Sequence, residues 1–221
     1  MAAVLGGLFP LAFVIAASPI PIVASILMLL SPKAKASGVG FLCGWIVGIM
    51  LAVVVLSALA NLIPFPASTG VIGAVIKIVL GLVLVAIGVR SWFARPGGGE
   101  KAAVPGWMSS VDSMTGAKAF RFGVVLAVAN PKNVVLALAA ALLIGSSGLT
   151  LVEEIVAVAF FIAVATLSVA IPVVAYLVAT ARLHEPLERV RGWLIRNNAV
   201  VIGVQCIVIG VAVIGAGIGS L

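Results

Sequence analysis

Charge is scarce in this chain. Only 9% of its residues are Asp, Glu, Lys or Arg, while 64% are hydrophobic. A soluble chain of 221 residues could not hide that much apolar surface, because the buried fraction rises only slowly with size. Acidic residues are scarcest, six in all, and none lies well inside an apolar run. The single histidine, His184, also falls outside them. Without a His, Asp or Glu cluster at membrane depth, acid–base and metal chemistry have no side chains to use, so no enzyme, metal or other cofactor is expected. The two cysteines, Cys43 and Cys206, sit inside apolar runs, where a thiol behaves as a small hydrophobe; two isolated residues make neither a disulfide framework nor a metal site. The net charge of +7 lacks the interleaved aromatics of a nucleic-acid surface, so no nucleic-acid partner is expected. A basic leader is missing as well, and the first apolar run continues past Pro21 to Leu30. That is too long for a signal peptide and predicts a retained first span.

What is present is apolar length. Mean hydropathy is +1.38, and six runs reach the roughly 20 residues that a helix needs to cross a bilayer. They cover 4–30, 39–59, 69–89, 122–144, 151–178 and 200–218. The alternation of a barrel strand is absent, so an all-α integral membrane protein with six transmembrane helices is expected. Eleven of the thirteen Lys and Arg fall in three inter-span segments on one side, and none in the segments 61–68 and 145–150 on the other. Because basic residues stay on the cytoplasmic side, both termini are expected outside a bacterial inner membrane. A Pro/Gly-rich linker, 95–118, separates two three-span halves, 1–94 and 119–221. Three being odd, the halves insert in opposite senses, as two inverted repeats. The segment 181–197 carries Leu183, Leu187, Val190 and Leu194 on one helical stripe and a Glu185–Arg189 pair; it reads as an interfacial helix or as a solvated basic loop. Gly40, Gly44 and Gly48, and again Gly215 and Gly219, suit close helix approach, inside the chain in preference to a homodimer seam. Trp92, Trp107 and Trp193 fit an aromatic belt at the inner interface.

The two halves carry matching flaws. Ser18-Pro19-Ile20-Pro21 interrupts the first span and Asn130-Pro131-Lys132-Asn133 the fourth. Proline removes a backbone donor and breaks a helix, and paired interruptions at corresponding positions point to a midplane binding site. Pro172, alone in the fifth span, reads as an ordinary kink. Lys132 lies roughly 20 Å from the cytoplasmic edge at 1.5 Å per residue, and an ionisable group at that depth is a candidate ligand-binding or proton-carrying residue. Lys77 lies roughly 12 Å from the outer end of the third span and can also snorkel outward. Gln205 holds the corresponding place in the sixth. The deep charges are both cationic, which suits an anionic head group better than a metal or a basic amino acid.

Pro19-Ile20-Pro21 and Asn130-Pro131-Lys132 resemble the Pro-x-Pro and Asn-Pro-Lys signatures of the LysE superfamily of exporters. Within it the chain is most similar to the Gap family, the glycopeptidolipid- and sulfolipid-addressing proteins. The resemblance implies an exporter of an envelope lipid or glycolipid, working by alternating access, with Ser18, Pro19, Pro21, Asn130, Pro131, Lys132, Asn133, Lys77 and Gln205 as substrate-binding candidates. Ile20 stands where the amino-acid exporters have glycine, which weighs against that branch. An exporter of amino acids or similar metabolites, and a non-transporting accessory protein of a lipid-secretion complex, are the alternatives. The partners expected are membrane lipids and a lipid or small-molecule substrate.

Overall fold

The computed structural model describes residues 1–62, 71–94, 111, 114–178 and 184–219. Eight helices follow one another: α1 (Ala2–Ala16), α2 (Pro19–Leu30), α3 (Ala34–Leu62), α4 (Val71–Phe93), α5 (Gly116–Val128), α6 (Pro131–Gly145), α7 (Leu151–Val178) and α8 (His184–Ile218). Among the described residues there is no strand. Four helices, α3, α4, α7 and α8, are each long and apolar enough to cross a membrane alone. Two bent pairs, α1 with α2 (53°) and α5 with α6 (68°), bring the number of candidate spans to six if each pair counts as one. The chain is thus a multi-pass helical membrane protein by length and composition.

Lipid exposure is visible in the packing. Only 22–33% of the apolar window of each long helix is buried inside the protein, and Val55, Val79, Leu82, Ile155, Ile171 and Val208 stand exposed. Apolar faces of that extent would aggregate in water and are at rest in hydrocarbon.

Close helix approach organises the interior. A Cβ on Gly40, Gly44 or Gly48 would strike the backbone of Gly116, Phe120 or Val124. The partner numbers rise together, so α3 and α5 run parallel with their backbones in contact. On α4 and α8 the order reverses: Gly81 faces Gly210 and Gly88 faces Gly203, an antiparallel pair. Gly215 has open space where a side chain would stand, so the expected packing at the end of α8 is not made there. Phe41, Trp45, Ile49 and Val53 on α3 and Ala157, Phe161, Ala165 and Val169 on α7 form the central core.

Several boundaries differ from those expected. The sixth span is the last part of a 35-residue helix, about 52 Å long, which absorbs the segment 184–197. Its Leu187 packs with Ile26, Leu29 and Val173 while Val190 is exposed, so the stripe docks α8 onto α2 and α7 in part only. Arg182 and Leu183 lie outside the described residues. So do 95–110, most of the linker, with Trp107; yet Val111 is buried in the core, and α5 begins at Gly116 under a Thr115 cap. Pro172 sits inside an unbroken α7. Thr150 and Glu153 close a reciprocal capping box at the α7 start, Glu153 Oε2 accepting from the Thr150 N–H at 3.0 Å and Thr150 Oγ1 accepting from the Glu153 N–H at 3.4 Å, which satisfies donors the helix itself cannot.

Candidate functional site

Four prolines stand in the two bent helix pairs, and the site follows from what three of them remove. In a helix each carbonyl accepts from the N–H four residues on. Counting back four from Pro19, Pro21 and Pro131 finds the carbonyls of Ile15, Ala17 and Ala127, each deprived of its donor. A carbonyl left unpaired in an apolar interior costs about 1–3 kcal/mol, so each must find another partner.

Each does. The Ser18 N–H donates to the Ile15 carbonyl at 3.2 Å. Gln205 Nε2 on α8 donates to the Ala17 carbonyl at 2.9 Å. Asn133 Nδ2 donates to the Ala127 carbonyl at 3.1 Å. Because the Ser18 N–H has turned to Ile15, the Val14 carbonyl is freed too, and Lys132 Nζ donates to it at 2.8 Å. Lys132 thereby ties the N-terminal turn of α6 to the C-terminal turn of α1, across 118 positions of sequence. Asn130 Oδ1 caps α6 by accepting from the Lys132 N–H at 3.0 Å. Ser18, by contrast, makes no side-chain cap on α2.

What remains unspent is the candidate binding capacity. Lys132 is only 3% exposed. Its ammonium carries three donors, of which one goes to Val14, and no described carboxylate pairs with it. Ser18 Oγ, Asn133 Oδ1 and Gln205 Oε1 are buried and without a hydrogen-bond partner. Buried polar atoms are nearly always partnered in proteins, so three orphans beside two helix breaks mark a place where a ligand or water completes the set. Cys206, next along α8 from Gln205, is buried and within electrostatic reach of Lys132. Among the described residues no three His, Cys, Asp or Glu side chains come together.

The structure thus gathers Ser18, Pro19, Pro21, Asn130, Pro131, Lys132, Asn133 and Gln205 around the two breaks. It separates Lys77 from them. Lys77 is half-buried on α4 and lines a cavity of about 290 Å³ with residues of α1, α6 and α8, one to two turns toward the end that carries both termini. The Val14 and Ala17 carbonyls and Cys206 belong to the site and were not anticipated. The count of four back from each proline would have found Ala17; nothing in the sequence pairs Lys132 with Val14.

No curated protein and no solved structure matches this chain. A family described as Sap, sulfolipid-1-addressing protein, matches residues 8–219. That match covers nearly the whole sequence, both breaks and every residue of the site, and the chain belongs to this family.

Proposed function

We propose that the chain is an exporter that carries an envelope lipid with an anionic or polar head group across the cytoplasmic membrane, binding it between the broken helices. The observation that carries this reading is Lys132: a buried cation with one carbonyl partner, no carboxylate, and three unpaired polar atoms around the same breaks. An uncompensated interior charge is costly. An anionic head group would neutralise it and accept from the remaining Lys132 N–H groups and the Ser18 hydroxyl, while Asn133 Oδ1 and Gln205 Oε1, which only accept, suit hydroxyl donors of the same head group. The family description, sulfolipid addressing, supports the lipid class, since a sulfate ester offers that charge. It also agrees with the Gap-like resemblance, and the broader LysE placement is part of the same proposal.

The architecture we propose is six spans in two inverted repeats. Bends of 53° and 68° are below a right angle, so each pair still advances in one sense. With both segments inclined equally, α5 and α6 together advance roughly 35 Å, enough to cross a core about 30 Å thick. A re-entrant loop would need a reversal. The parallel α3–α5 and antiparallel α4–α8 pairs agree with spans that alternate in direction. Rocking of the halves would break and remake the Lys132–Val14 bond, exposing the site to either side.

The test is envelope-lipid export by cells carrying wild type, Lys132→Ala or Lys132→Gln, with membrane levels of the protein measured alongside. Export should fall at least roughly tenfold in both, the loss of a charge-assisted contact. Export lost on deletion but retained by both variants would make Lys132 structural and favour an accessory role. Surface lipid unchanged even on deletion would sink the lipid reading and leave small metabolites.

A further inference from the structure

The cavity around Lys77 has a chemistry of its own. Its walls come from four helices, α1, α4, α6 and α8, and Lys77 is the one polar side chain among the residues that line it. No described residue gives the Lys77 ammonium a hydrogen bond or an ion pair. At about 290 Å³ the cavity is close to the lower size of ordinary ligand pockets, roughly 300 Å³.

Its depth order can be read from the helix pairing. Gly81 faces Gly210 and Gly217 faces Ile78, which sets Lys77 level with the last turns of α8, at the shallow end near the chain termini. Leu11, Ala139 and Ile209 line the same cavity and lie deeper. From that deep end it is one turn along α1 to Val14, one turn along α8 to Gln205, and two turns along α6 to Lys132. An amphiphile lying with its charge at Lys77 would point its tail toward the broken helices, in the orientation a lipid of the same leaflet already has. No described carboxylate meets Lys77 at this apolar wall; an anion on an alkyl chain satisfies wall and charge together.

We infer that this cavity is a second lipid site, separate from the one between the broken helices, which takes an alkyl chain of an anionic amphiphile from the bilayer with Lys77 as its head-group contact. It extends the export reading by supplying a station between the centre and the terminus-bearing face, and it rests on that reading only for its place in a route.

The experiment uses the full chain in phosphatidylcholine nanodiscs, loaded with hexadecyl phosphate bearing a diazirine at the chain end. After irradiation, adducts are mapped by mass spectrometry. Labels are expected around Leu11, Ala139 and Ile209. Lys77→Gln should lower that labelling roughly tenfold, one charge-assisted hydrogen bond, while Lys77→Arg keeps it. Ala212→Phe, which places a ring in the cavity from an exposed position on α8, should lower it in a protein that still elutes as wild type. A phosphocholine probe of the same chain length should label weakly. Equal labelling by both probes, indifference to Lys77→Gln, or adducts scattered over the lipid-facing surface would each overturn the proposal, leaving a groove filled by bulk lipid. Labelling is read at equilibrium and needs no transport, so it stands or falls independently of the export assay.

Discussion

Lys132 and Asn133 sit side by side at the start of α6 and answer to different physics. Asn133 stands in for a hydrogen that Pro131 cannot supply, so its value depends on that proline. Asn133→Ala should destabilise the detergent-solubilised protein by about 1–3 kcal/mol, the cost of an orphaned buried carbonyl. In a Pro131→Ala background, where residue 131 regains its N–H, the same substitution should cost much less. Thermal unfolding of the four proteins makes the double-mutant cycle, and additive costs would show that Asn133 does not serve the Ala127 carbonyl. Lys132 is the opposite case. It is a desolvated charge, so an apolar side chain of similar length removes a desolvation penalty that offsets the orphaning of the Val14 carbonyl, about 1–3 kcal/mol. Lys132→Met should therefore keep a melting temperature close to wild type while export is lost. A large fall in melting temperature would mark the Val14 bond as structural instead.

At the scale of helices, the close contacts are built on glycine at particular registers. A side chain on Gly44 would meet the Phe120 backbone, which cannot yield as a flexible side-chain end does. Gly44→Val should separate α3 from α5 and abolish the monodisperse peak in size-exclusion chromatography. Gly215→Ala, at an open position, should elute unchanged. The residue spacing made both sites candidates, since Gly-xxx-Gly recurs at each. Only the partner helix distinguishes them, because a glycine matters to packing when another backbone arrives at it. The two breaks were legible for a local reason: a proline removes its donor wherever the chain goes afterwards. The length of α8 was not. Charges in 184–197 suggested an end to the helix or a change in its course, but Leu187 finds an apolar niche on α2 and α7, and surface pairs such as Glu185–Arg189 at 2.8 Å tolerate a helix projecting from the bilayer while contributing little themselves.

For the whole molecule, the arrangement of basic residues makes a claim about sidedness. Single cysteines, in a background with Cys43 and Cys206 replaced by alanine, at position 147 and at position 35 or 189 should react oppositely with a membrane-impermeant maleimide added to intact cells. Position 147, between α6 and α7, should be labelled; 35 and 189 should be protected until the membrane is opened. The reverse pattern would invert the topology and with it the direction assigned to transport.

The amino-acid sequence by itself determined the apolar solvent, the long apolar helices and the places where helices fail. Those depend on composition, on the length of apolar runs, and on prolines acting within four residues. Tertiary structure alone decided which groups repair the failures. The donor for Ala17 comes from α8 and the donor for Val14 from the opposite half of the chain, because contacts across more than a hundred residues are set by how whole helices pack. The same packing divided the two intramembrane lysines, leaving Lys132 between the broken helices and Lys77 at an apolar cavity nearer the termini, since depth along a span says nothing about which neighbours a side chain meets.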